Sequence, residues 1–258
     1  MKTLIKITLI SLFAFACSGN NLIEPGELES PLLMHVFCQA SPNDTLMRFE
    51  YEYNNDLLIS ETKFTLGELQ NKVTFQYNSN NQITSELSEW DHLTVEKTYH
   101  YNSSGQLEKI TYKTRNFDEN GQLTSEEESE ATFEYENDLV IKKWENWGGF
   151  ITYEYKDEKL VKKIDHTENG EEHHITTYQY KGDSLTEEIK KTVGGNLIYH
   201  KIFHYDSRGR LDFVEDQGNT IEENHYDETK LIEKRENYFG IDPCFSPCCG
   251  DFIYRYEY

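Results

Sequence analysis

Two short stretches decide the fold: YNSSGQL at Tyr101–Leu107 and YDSRGRL at Tyr205–Leu211. Each has a second aromatic residue two positions before its tyrosine, so the longer matches read YHYNSSGQL and FHYDSRGRL. An aromatic-x-Tyr pair has period two, which puts both rings on one face of a β-strand. The Asn or Asp, Ser and Gly that follow are tight-turn residues, and the Leu beyond them begins a returning strand. Each stretch reads as one end of a β-hairpin.

Working outward, the same pattern anchors on Tyr53, Tyr77, Tyr101, Tyr135, Tyr155, Tyr180, Tyr205 and Tyr226, about 20 to 34 residues apart. The residue two earlier is aromatic at the first seven anchors (Tyr51, Phe75, Tyr99, Phe133, Tyr153, Tyr178, Phe203), and Asn224 breaks the rule at the eighth. The intervening residue is polar: Glu52, Gln76, His100, Glu134, Glu154, Gln179, His204. Such alternation belongs to an antiparallel strand with one wet face. A Leu or Ile follows each anchor (Leu57, Ile83, Leu107, Leu139, Leu160, Leu185, Leu211, Leu231). Signals such as WGG, ENG and VGG then reverse the chain again. FDENGQL at 117–123 is a further copy of the turn inside the longest unit. The predicted fold is all-β, a repetitive antiparallel hairpin meander of roughly sixteen to eighteen strands. Open sheets seldom exceed about ten strands without curling, so a curved or spiralling sheet or a partly closed barrel is expected.

Only 36% of the 258 residues are hydrophobic and the mean hydropathy is −0.76, values that raise the question of disorder. The 18 Tyr, 14 Phe and 3 Trp answer it, because disordered polar chains lack aromatics. A formal charge of −22 repels phosphate backbones and anionic head groups, which argues against nucleic acid as a partner.

The first residues, MKTLIKITLISLFAFACSGNN, carry Lys2 and Lys6, an apolar run from Ile7 to Phe15, and small Ala16 just before Cys17. That is a secretory signal layout, too short for a stable membrane-spanning helix. A cysteine directly after the small residue resembles the lipobox of bacterial lipoproteins, with Ala14 standing where Leu is commonest. The resemblance implies cleavage before Cys17, lipidation of Cys17, attachment to a membrane through that lipid and an envelope location, at the outer membrane. Residues 18–31, SGNNLIEPGELESP, read as a tether. The expected organisation is a signal peptide at 1–16, a lipidated N-terminus and tether at 17–31, and a β domain at 32–258 with a Cys-rich loop at 242–251.

YDSRGRL fits the Y-D-x-x-G-R-L signature of YD repeats, the unit of RHS-type proteins, while YNSSGQL, FDENGQL and YNSNNQI fit it with substitutions. The resemblance covers about residues 49–235. It implies a spiralling β-sheet of the kind found in toxin-encapsulating, adhesive and wall-associated proteins. With about eight units, and no toxin domain after the repeats, a cargo-holding shell is not implied.

Candidate sites are few. With Cys17 lipidated, Cys38, Cys244, Cys248 and Cys249 form an even set, which in an exported chain favours disulfides. Cys38 is expected to bond to one member of the DPCFSPCCGD cluster, the rival being a soft-metal thiolate site. In NFDENGQLTSEE, residues Asn116, Asp118, Asn120 and Glu127 have calcium-loop spacing, although the same letters form the repeat's own turn. Trp144, Trp147 and Phe150 in WENWGGF surround a Gly-Gly turn, and Trp90 lies in another, so these rings could stack on sugars or cap the core. His200 and His204 share a strand face but lie roughly 13 Å apart at ~3.3 Å per residue, too far to chelate one ion.

No nucleophile, metalloprotease, phosphate-loop or cofactor motif occurs, and the chain reads as a non-enzyme. The expected function is a non-catalytic binding or scaffolding module of the cell envelope, with an envelope or surface protein as partner. A surface glycan-binding protein is the alternative. A hydrolase would need a pocket of converging polar groups that the sequence does not display.

Overall fold

A computed structural model describes residues 33–38, 41–228, 230–237 and 251–257. They form eighteen strands and, among the described residues, no helix. In chain order these are β1 (Leu33–Cys38), β2 (Ser41–Asn54), β3 (Leu57–Thr65), β4 (Glu68–Tyr77), β5 (Ile83–Trp90) and β6 (Leu93–Tyr101). Next come β7 (Leu107–Phe117), β8 (Leu123–Glu136), β9 (Leu139–Trp144), β10 (Phe150–Lys156), β11 (Lys159–His166) and β12 (Glu172–Lys181). The last six are β13 (Ser184–Thr192), β14 (Leu197–Tyr205), β15 (Leu211–Asp216), β16 (Asn219–Asp227), β17 (Lys230–Asn237) and β18 (Asp251–Glu257). Each strand pairs antiparallel with the next, and β1 pairs with both β2 and β18. The meander is therefore a closed up-and-down barrel rather than a partly closed one.

Closure rests on strands outside the tyrosine-turn repeat. Met34 and Val36 of β1 face Phe49 and Met47 of β2 on one side, and Tyr256 and Tyr254 of β18 on the other. Met34, Val36 and Phe49 are buried, with Met47, Tyr51, Tyr254 and Tyr256 packed against them. Burying side chains of this kind is worth about 1.5–3 kcal/mol each. Joining the ends also pairs two strand edges that would otherwise be open. Tyr254-Arg255-Tyr256 repeats the aromatic-x-Tyr pattern and could have marked β18 from the sequence alone.

Turn chemistry explains the recurring letters. In YNSSGQL, Asn102 Oδ1 accepts the N–H groups of Ser104 and Gln106 at 3.0 and 2.9 Å, while Gly105 supplies a φ of 85°. Asn78, Asp118 and Asp206 accept the same pair of N–H groups in their own turns. Arg210 of YDSRGRL adds a bond from Nε to Asp206 Oδ2 at 2.7 Å. The turns at 145–149, 167–171 and 192–196 share the backbone hydrogen-bond pattern of YNSSGQL, whereas several other hairpins use two-residue turns with both φ angles positive, such as Asn55-Asp56, Asn137-Asp138 and Asp157-Glu158, which match the right-handed twist of the strands.

Eighteen strands about 4.8 Å apart make a wall roughly 85 Å around, wider than side chains can fill. The core therefore lies on the wall itself. Nearly all the buried apolar residues, including Phe75, Ile110, Ala131, Tyr153 and Val214, belong to the anchor-tyrosine face, Ile164 and Ile253 being exceptions. Side chains converge on the concave side of a closed sheet and diverge on the convex side, so this crowded face is the lumenal one. The clusters join neighbouring strands only, as with Leu58, Phe75 and Ile83 beside Tyr53 and Tyr77.

Candidate functional site

The two rims of the barrel differ. At the lower rim, where every anchor tyrosine lies, the strands end in the short turns just described. At the upper rim β6 accompanies β7 as far as Asn116, but on the other side the β7–β8 hairpin outgrows its neighbour: β8 pairs with β7 over Leu123–Thr132, and with β9 only over Thr132–Glu136. The β9–β10 turn at 145–149 sits beside this hairpin, with Asn146 Nδ2 3.5 Å from Ser129 Oγ. The copy of the turn motif at 117–123 is thus the tip of a projecting hairpin.

The aromatic residues of WENWGGF are brought together here but do not serve alike. Trp144 and Phe150 are opposite one another in the β9–β10 ladder, with ring centroids 4.8 Å apart. Phe150 stacks on His166 at 4.3 Å, and Lys142 Nζ lies 3.9 Å from the Trp144 ring and 4.1 Å from that of Phe150. Trp144 Nε1 donates to Glu134 Oε1 at 3.0 Å. These two rings already have partners, so they form part of the outer wall. Trp147 differs, being 62% exposed with its ring laid over Gly149, where a Cβ would fall 1.9 Å from the ring carbons. Trp90 is exposed at the start of a neighbouring turn.

The lumenal face carries a feature that sequence reasoning missed, a belt of ion pairs above the tyrosines. Lys143 and Glu145 pair at 2.9 Å with side chains only 9% and 14% exposed. Asp165 meets Lys190 at 3.1 Å, Lys163 at 3.4 Å and His174 at 3.8 Å. Glu86 accepts from both Lys97 and Tyr99, Tyr199 donates to Glu188, and Lys234 pairs with Glu236. Burial works against the charge of Asp165, but Lys163 and Lys190 outweigh it and hold the carboxyl below the usual carboxylate range. Burial, then Glu86, pushes the Tyr99 phenol well up, and burial with Glu188 does the same to Tyr199. The signal was present in the strand phase: counted in twos from the anchor tyrosines, these charged residues fall on the aromatic face, except Glu86, which the bulge beside Tyr77 brings there.

Among the described residues no helix is long and apolar enough to cross a membrane. Strands pose a separate question. A lipid-facing band must stay apolar for about 25 Å. The outer face carries Glu52, Glu134, Glu154 and Lys162, and the lumenal face carries the belt just described. Neither is apolar over such a height.

The remaining sequence candidates are dispersed. Asn116 donates from Nδ2 to Ser125 Oγ, Asp118 and Asn120 lie in the hairpin tip, and Glu127 lies in β8. Asp118 Oδ1 is occupied by two backbone N–H groups, as in the sister turns. No group of three or more His, Cys, Asp or Glu side chains suited to a metal ion occurs among the described residues. Cys17, Cys244, Cys248 and Cys249 lie outside the described residues, and Cys38 is described only as the last residue of β1, opposite Phe252. His200 and His204 point to separate carboxylates, Glu187 and Glu215.

No protein-family model and no curated protein matches the chain. Among solved structures, a porin-like protein from Bacteroides uniformis is 21% identical over 60% of this chain and 59% of that one, with a TM-score of 0.41. The TcdB2-TccC3-Cdc42 and TcdB2-TccC3 structures are each 10% identical, with TM-scores of 0.30 and 0.29 over 79% and 75% of this chain. The chain spans 59% of the length of the porin-like protein and 12% of each of the other two. Likeness at this level says nothing about activity.

Proposed function

We propose that this chain is an exported, lipid-anchored protein of the bacterial cell envelope, built from YD-type repeats, that acts by binding or scaffolding rather than by catalysis. The signal layout and Cys17 support the location. The observation that carries binding is the asymmetry of the rims: the lower rim ends in compact turns, whereas the upper rim presents the projecting β7–β8 hairpin beside exposed Trp147. Carboxylates of the wall such as Glu145, Asp165, Glu187 and Glu215 pair with lysines or imidazoles in separate small groups, an arrangement suited to stiffness. In this reading Cys38, whose register partner Phe252 is three residues from Cys249, bonds to the C-terminal cysteine cluster and locks the seam.

The test is cross-linking in intact cells from a photoreactive residue placed at Glu119, in the hairpin tip. Recovery of a specific envelope protein, absent when the group is placed at Asp157 of the lower rim, supports the reading. The same products from both rims, or none, would sink it. Protease shaving of intact cells then decides which side of the membrane the domain occupies.

Glycan contact is a second reading, favoured by the exposure of Trp147. It predicts that saccharides change tryptophan emission in the wild type and not in Trp147→Ala. An unchanged wild-type spectrum across a broad glycan panel counts against it.

A further inference from the structure

We infer that the upper half of β8 is a docking edge for an extended, Lys/Arg-rich segment of a partner protein, which adds to the barrel wall as another strand. The inference deepens the binding reading above and rests on it.

Closure pairs the strands of this barrel on both sides, yet β9 covers only Thr132–Glu136 of β8. Among the described residues no strand pairs with Leu123–Ala131 on the side away from β7. At ~3.3 Å per residue this leaves an edge roughly 30 Å long, with the Asn146 side chain reaching it at Ser129. The backbone groups on the open side follow from alternation. Phe117 N donates to His92 O, away from β8, so Asn116 turns its groups toward Ser125 of β8. Counting on from Ser125, the N–H groups of Glu126, Glu128 and Glu130 point to the open side. An edge of this kind is a template for another strand, which proteins usually blunt.

Charge selects the occupant. The edge strand reads LTSEEESEA, with Glu126, Glu128 and Glu130 on the outer face and Glu127 on the lumenal one. A second copy of β8 would bring glutamates against glutamates, which disfavours self-pairing. What does pair with β8 is visible on its other side. Lys109 meets Glu130 at 3.3 Å, Lys113 meets Glu126 and Glu128 at 2.8 and 3.2 Å, and Arg115 meets Glu126 at 2.8 Å. The Glu128 and Glu130 side chains remain 61% and 59% exposed, leaving room for cations from the open side. A strand with basic residues at alternate positions, as in β7, is therefore the complement of this edge.

The probe is a labelled synthetic peptide of the β7 sequence, LEKITYKTRNF, titrated into the purified full-length protein by fluorescence anisotropy. Saturable binding is expected, weakened at least about tenfold when both peptide lysines and the arginine are replaced by glutamate, and weakened by salt. Glu128→Pro removes an open-side N–H without touching the β7 ladder and is expected to abolish binding. Should circular dichroism show that this variant misfolds, Glu128→Lys with Glu130→Lys keeps the backbone donors and is expected to repel the peptide. Absence of saturable binding, or binding indifferent to these changes, overturns the inference. So does a dimer of the wild type that Glu128→Pro dissociates, which would assign the edge to a second copy. Because the assay uses purified protein, its failure leaves the envelope reading to be judged by the cross-linking in cells.

Discussion

Tyr205 donates from its hydroxyl to the backbone carbonyl of Leu185 at 2.8 Å, tying the last residue of β14 to the start of β13. The same bond recurs from Tyr77 to Leu58, Tyr101 to Ile83, Tyr135 to Leu107 and Tyr226 to Leu211. Each joins a descending strand to the ascending strand before it. The tyrosine that precedes a turn thus fastens one hairpin to its predecessor, which explains why the repeat keeps Tyr there while Phe suffices two residues earlier. Tyr205→Phe is expected to cost about 1 kcal/mol, read by urea unfolding. Pairing it with Tyr101→Phe, on a distant strand, should roughly double the loss.

The phenols set an alkaline limit. Burial, the largest influence, pushes Tyr226 up to about 12, and it raises Tyr77, Tyr101, Tyr135 and Tyr205 as well. A phenol whose pKa is higher in the folded than in the unfolded state favours the fold only while it stays protonated. This stability is complete below the ordinary value of 10.0 and is lost as the pH climbs toward about 12. Phenolate absorbance and circular dichroism should therefore change together, cooperatively, above the ordinary tyrosine range.

Asp165 works in the opposite direction. Its carboxyl is held below the ordinary 3.8 by Lys163 and Lys190 despite burial. The stabilisation is present above that value and is lost as the pH falls through the lower folded one. Thermal melts of Asp165→Asn should show a shallower decline in acid than those of the wild type, and a lower midpoint at neutral pH.

Lys143 is nearly enclosed, with Glu145 as its ion-pair partner. Glu145→Gln leaves a buried ammonium uncompensated, with an expected loss of about 3 kcal/mol. The double replacement Lys143→Met with Glu145→Gln should recover much of it, because removing both charges removes the desolvation penalty. Equilibrium denaturation of the two variants checks the order.

Gly209 has a φ of 80° in the YDSRGRL turn, with nothing near its would-be Cβ. Any loss in Gly209→Ala is therefore backbone strain, expected at about 1–2 kcal/mol, whereas Gly194→Ala, at a glycine without positive φ, should be close to neutral. Differential scanning calorimetry of the two variants separates strain from crowding.

The sequence by itself determined the local structure: period-two aromatics placed the strands, and Asn, Asp and Gly placed the turns, because both depend on residues a few positions apart. It also located the projecting turn at 117–123 and the tryptophan cluster. Closure was decided by tertiary structure, since it depends on Met34 and Val36 meeting Tyr256 and Tyr254 from the far end of the chain. So was the division of labour among the aromatics. Trp144 and Phe150 look like Trp147 in a string of letters, but the β9–β10 register turns the first two against Lys142 and His166 and leaves the third in solvent. The open edge of β8 is a matter of unequal strand lengths in space. Only pairing shows that six residues of β9 stand beside fourteen of β8.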